Sequence, residues 1–219
     1  MPYTAEVLYA LHARHLRELW PLAVPLFLLT LAVLVPVMRG ATRYGRPVAT
    51  VVAVVLAAGW LWTGMVFHFH YFATINFAAP AYAGLFVLQA ALLLWQGVAR
   101  RRPTMAFRGD GAGWTGVALL IYGVVGYPLV DYLAAAEGLR LVGLAPGPTT
   151  AFTLGLLLQA TGRIPLHLLL VPVAWCVVAG ASGLPLGIPA DVLLLPAALA
   201  TVVAAPWHNR RIAFPAGRR

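Results

Sequence analysis

Residues 47–99 contain no Asp, Glu, Lys or Arg, a run long enough for two apolar helices of membrane-spanning length back to back. A soluble domain carries roughly 25% charged residues; this chain of 219 residues carries 10%, with 62% hydrophobic. An apolar run of that length has to bury its own backbone polar groups, so the sequence predicts an all-α polytopic membrane protein. A formal charge of +9 and a pI near 10.6 would otherwise suggest nucleic acid. The arginines, however, fall in short clusters between apolar runs and form no single stripe. The lipid bilayer is the expected partner, and nucleic acid is not.

A bilayer core of about 30 Å takes about 20 helical residues. Spans are predicted over 19–38, 48–68, 78–99, 112–133, 148–162, 164–184 and 189–208, a seven-helix transmembrane bundle within a domain of residues 19–209. The fifth is short, since its residues give only roughly 22 Å of helix. Arginine placement argues that it crosses. With seven spans and the N-terminus outside, Arg39, Arg43, Arg46, Arg100, Arg101, Arg102, Arg108, Arg163, Arg210, Arg211, Arg218 and Arg219 lie inside, against Arg14, Arg17 and Arg140 outside. Without that crossing the split is eight to seven, which is no bias. The N-terminus is therefore expected outside and the C-terminus inside, with the fifth span short, tilted or extended by a broken segment over 141–147. Residues 1–18 are expected to form an amphipathic interfacial helix, with Leu8, Leu11, His12, His15 and Leu19 on one face and Glu6, Ala13, Arg14 and Arg17 on the other. Residues 210–219 are expected to form a basic cytoplasmic tail. Prolines punctuate the later half and predict irregular, mutually packed helices.

The chemistry available to such a chain is sparse. It has no lysine, so no Schiff base forms, and one cysteine, Cys176, so no internal disulfide forms. Its one serine, Ser182, lies in Gly-Ala-Ser-Gly, which is not a hydrolase nucleophile elbow. An enzyme built on these residues would be a metal-dependent intramembrane hydrolase, with His and Asp side chains activating water. His68 and His70 invite that reading, and His12 and His15, on one helix face at the same side, bring the external histidines to four that a divalent metal could share. Residues two apart on a helix diverge, so His68 and His70 share an ion only on extended chain; structural hydrogen bonding at an interface is the competing account. Haem ligation needs two histidines at matched depth, and His167 and His208 sit at the opposite end from His68. One turn from His68, Gly64 leaves room for either a ligand or a neighbouring helix.

Seven crossings bring His68, His70 and Asn76 to the same level as Asp131, Thr149, Thr150 and Asp191. An acid within a span is costly and marks a candidate site. Asp191 has an alternative role capping the helix after Pro189, whereas Asp131 has none. The expectation is that His68, Asn76 and Asp131 converge, with Thr149, Thr150 and Asp191, on a polar site open to the external side that takes a small ligand or cation. At the internal end Gln159, His167 and His208 are expected to tie helices together. Three functions fit: ligand binding or transport, an accessory subunit among other membrane proteins, or the metal-dependent hydrolase.

Trp62-Thr63-Gly64, His68, Phe72, Ile75-Asn76 and Ala78-Ala79, followed by Pro146-x-Pro148-Thr149-Thr150 and Phe152-Thr153-Leu154-Gly155, resemble a family of small bacterial integral-membrane proteins classified only as a domain of unknown function. The resemblance covers nearly the whole chain. It implies a shared multi-helix fold and a bacterial inner-membrane setting, and supplies no activity. Two positions depart from the family pattern: Gly147, where a cysteine is expected between the prolines, and His70, where an apolar residue is more usual. A metal function that relied on either would not extend across the family.

Overall fold

The computed structural model describes residues 3–40, 46–100, 103–134 and 138–213. Among them the chain is helical apart from turns and one isolated bridge between Met105 and Ala160. Six helices are long and apolar enough to cross a membrane: α1 (Ala5–Met38), α2 (Pro47–Thr74), α3 (Ala79–Ala99), α4 (Gly111–Leu133), α6 (Leu166–Leu186) and α7 (Pro189–Ala213). Between α4 and α6 lies α5 (Pro146–Leu157).

The predicted boundary between an interfacial helix and a first span falls inside α1. Leu19 leaves helical geometry at φ −119° and ψ 15°, and Pro21 and Pro25 follow within the next turns. Pro21 has no N–H for the carbonyl one turn back, so the helix bends there. The preceding turns fold onto the bundle: Leu8, Tyr9, Leu11, His12 and His15 are buried, the leucines and tyrosine in a cluster with Phe67, Tyr71 and Phe72 of α2. Glu18 fastens the bend, accepting from Arg14 at 2.8 Å and from the Tyr71 hydroxyl at 2.6 Å.

Short α5 is the axis of the bundle. Its 12 residues are all buried, and at 1.5 Å each they give only about 18 Å. It can be this short because protein, and not lipid, surrounds it. Turns over 142–144 lead into it, and beyond it Gln159 and Thr161 pair their backbones with Ala106 and Thr104 at the other end of the bundle. Non-helical backbone at this depth is acceptable when protein satisfies it. The chain therefore runs from one end of the bundle to the other between α4 and α6, partly as helix and partly as extended flanks. Gly155 and Gly116 make the contact with α4 close: a Cβ on either would lie 2.8 Å from the other's carbonyl oxygen.

Three helices contain turns widened to i→i+5 hydrogen bonding, at Trp62–Tyr71, Trp95–Ala99 and Tyr122–Gly126. Such wide turns re-aim side chains and recur at functional sites. The longest carries His68. The open side of Gly64 is filled by α3: a Cβ there would meet the Phe86 Cβ at 3.0 Å and the Ala83 carbonyl at 3.2 Å. Small residues also join α2 to α3, where Ala53 packs against Gly97. Large apolar side chains such as Leu22, Leu170 and Leu199 point outward, as a lipid-facing surface requires.

Two ends result. One gathers the first turns of α1, the α2–α3 turn, the end of α4, residues 138–147 and the α6–α7 turn. The other gathers residues 103–110, residues 158–167 and the end of α7. Arg43, Arg101, Arg102, Arg218, Arg219 and the side chain of Arg46, counted above, lie outside the described residues.

Candidate functional site

His68 is fully buried in an aromatic ring of neighbours. Phe86 and Trp175 stand edge-on at centroid distances of 4.7 and 4.8 Å, with Phe67 at 5.5 Å and Phe72 and Tyr82 at 5.8 Å. Among the described residues neither ring nitrogen has a hydrogen-bond partner, and neither does the buried indole nitrogen of Trp175. An unpaired buried polar group costs about 1–3 kcal/mol, so three such atoms side by side require an explanation. Beside them lies a cavity of about 230 Å³, lined by His68, Trp175, Asn76, Tyr82, Arg140 and Asp191 among others.

The charged wall of that cavity is one guanidinium held between two carboxylates. Arg140 donates from Nε at 2.8 Å and from Nη2 at 2.5 Å to the two oxygens of Asp131. Its Nη1 reaches both oxygens of Asp191, at 3.0 and 2.9 Å. Exposure is 0% for Asp131, 3% for Arg140 and 7% for Asp191, so the trio is inside the protein. Tyr127 donates its hydroxyl to Asp191 and lies, with Tyr9, against the guanidinium, ring centroids 4.7 and 5.1 Å from Cζ. Burial opposes the charge on Arg140, but the surrounding carboxylates outweigh it and hold the guanidinium well above its ordinary pKa. Gly147 makes room for the trio, since a Cβ there would overlap the Tyr127 hydroxyl. The cysteine expected at that position from the resemblance would displace Tyr127.

The predicted site residues separate into three groups. His68, Asn76 and Asp191 line the cavity together. Asn76 also caps the following turn, accepting from the Ala78 N–H at 2.9 Å. Asp131 stands behind Arg140 and is joined to the cavity through it. Thr149 and Thr150 turn back onto their own helix, donating to the carbonyls of Ala145 at 2.6 Å and Pro146 at 2.8 Å. Asp191 does not cap α7 with its side chain, because its oxygens are taken by Arg140 and Tyr127.

The four-histidine metal site is not assembled. His70 is exposed on the far side of the wide turn from His68. His12 stacks on Phe67 at 4.0 Å, and His15 accepts from the indole N–H of Trp62 at 2.9 Å. Among the described residues no three His, Cys, Asp or Glu side chains gather as metal ligands. The divergence of residues two apart on a helix is the reason: His68 turns into the bundle and His70 out of it.

Arg140 and Trp175 were not anticipated. Arg140 counted only as a loop charge, yet two acids at one end without a partner required a cation at that level, and Arg140 is the arginine in the connection between them. Trp175 carried no signal beyond one more aromatic in a span. At the other end, His208 meets Asp110 at 3.1 Å and Arg108 at 2.7 Å, and Gln159 donates to the Gly113 carbonyl at 2.8 Å. His167 is exposed near Trp95. Burial tends to raise the Asp110 carboxyl, but the Gly113 N–H and the Arg108 guanidinium outweigh it and hold it below the ordinary carboxylate range.

No curated protein and no solved structure matches the chain. A family model described as a family of unknown function (DUF6064) matches residues 5–216, which takes in every described helix and the cavity wall apart from Tyr3. The chain belongs to the DUF6064 family.

Proposed function

We propose that this is an integral membrane protein that binds a small polar ligand or cation in the cavity beside His68, as a binding or transport protein. The observation that carries the reading is the pair of unpartnered ring nitrogens on a fully buried histidine at the edge of a 230 Å³ cavity. A folded chain leaves such atoms unpaired where something else is to meet them. Orientation follows from the arginines: Arg39, Arg100, Arg108, Arg163, Arg210 and Arg211 belong to the end away from the cavity. The positive-inside rule assigns that end to the cytoplasm, so the cavity opens outward with the N-terminus. A bacterial cell membrane is the setting that this bias and the motif resemblance support.

A thermal-unfolding screen tests the reading, with a broad library of small polar organic molecules against the wild-type protein and His68→Phe. A true ligand at a hundred times its Kd stabilises the folded state by about 2.7 kcal/mol. Compounds that stabilise the wild type and not the variant support the site. A library that stabilises neither, or both equally, contradicts it.

A further inference from the structure

We infer that the ligand of this cavity is a small organic monocation that also carries a hydrogen-bond acceptor, an inference that rests on the cavity's being a ligand site. Three observations carry it. The first is charge. Asp131 and Asp191 share the single guanidinium of Arg140, which leaves the ionised trio with one unit of negative charge. Among the described residues the remaining titratable groups on the cavity wall are His12, His68, Tyr3 and Tyr82, none of which is obligatorily cationic. The N-terminus of α5, at Pro146 and Gly147, also meets the cavity. A helix N-terminus contributes about half a positive charge through its free N–H groups, but here Pro146 and Pro148 have none and only Gly147 has one to offer among the first three residues. The negative excess therefore persists.

The second observation is the wall. Tyr3 stands edge-on to Phe72 at 5.3 Å, and Tyr82 edge-on to Trp175 at 5.3 Å, and Tyr3, Phe72, Tyr82 and Trp175 border the cavity together with Asp191. Aromatic surfaces attract cations, and boxes of them hold ammonium groups. The third is the pattern of unpaired atoms. The Trp175 indole N–H donates only, while a neutral imidazole at His68 offers one donor and one acceptor. A ligand that satisfies Trp175 needs an acceptor. A hydroxylated or carbonyl-bearing ammonium meets all three demands, with its charged group toward Asp191 and the rings and its oxygen toward Trp175 and His68. The volume of about 230 Å³ lies below the roughly 300–1,000 Å³ of drug-sized pockets, which keeps the ligand small.

The test compares matched probes on the purified full-length protein in lipid nanodiscs. Choline and ethanolamine serve as hydroxylated cations, 3,3-dimethyl-1-butanol as the uncharged isostere of choline and 3,3-dimethylbutanoate as the anion, with affinities read by calorimetry. The expected result is that at least one cation binds tenfold or more tighter than both other probes, a preference that falls below threefold in Asp191→Asn, with Trp175→Phe weakening that cation. The wild-type comparison stands by itself should either variant fail to fold. Equal or tighter binding of the alcohol or the anion overturns the charge assignment and leaves a ligand cavity in place. No binding by any of the four overturns the assignment as well, and the library screen on His68→Phe then decides separately whether the cavity takes a ligand.

Discussion

Arg140 ties together much of the buried polar structure, because two carboxylates and two tyrosine rings depend on it. Replacing one partner of a buried ionic group strands the others, at a cost of about 3–5 kcal/mol. Arg140→Met is expected to lose that much in reversible unfolding in detergent. Adding Asp131→Asn and Asp191→Asn should restore part of it, since the stranded charges are then gone; strictly additive losses would show that the three do not form one unit. Gly147→Ala should cost about 1–3 kcal/mol by displacing Tyr127, measured in the same assay. The two acids were legible in the sequence because charge in an apolar run is conspicuous. Arg140 was not, since nothing local in Gly-Leu-Arg-Leu-Val says that the segment folds inward, and only the need to balance Asp131 and Asp191 points to it. His68 was legible as an anomaly. Its aromatic neighbours come from helices whose rotation the sequence does not specify.

Among the helices, α5 was the hardest to read. Its apolar run suggested a span and its length argued against one, and both are explained by its position at the centre, where every side chain is buried and the flanks complete the passage. Gly155→Val is expected to prevent the contact with Gly116 and abolish accumulation of folded protein, which monodispersity on size exclusion checks. The kink of α1 shows a different limit: the change from amphipathic to apolar sequence near Leu19 announced a boundary, but whether the preceding turns lie on the membrane or on the protein is settled by packing against Phe67 and Phe72. At the start of α4, Asp110 caps the helix by accepting from the Gly113 N–H at 2.8 Å. Removing such a cap costs about 0.5–2 kcal/mol, the range expected for Asp110→Ala. Because the folded carboxyl is held below its ordinary pKa, this contribution is complete above the usual aspartate range. It is lost as pH falls through the folded value. The loss of stability at low pH should therefore be smaller in Asp110→Ala than in the wild type, as unfolding midpoints at stepped pH will show.

At the level of the bundle, the apolar runs announced most of the helices, because membrane-spanning length is a property of the sequence itself. A polar site at that end was expected from the sequence, but its shape, volume and aromatic lining were not, because a cavity is the space left between helices. Orientation is open to labelling: Thr74→Cys should react with an impermeant thiol reagent on intact cells, and Gly109→Cys only after the membrane is opened. Native Cys176 is buried and adds little background. The decisive measurement is an experimental density map of the protein in a lipid nanodisc, isolated from its own membranes and resolved well enough to show side chains. The account predicts density that belongs to no protein atom within hydrogen-bonding distance, about 3 Å, of a ring nitrogen of His68, bordered by Trp175 and Asp191. A His68 whose nitrogens are paired with protein groups, with side chains closed over the space beside it, would contradict it.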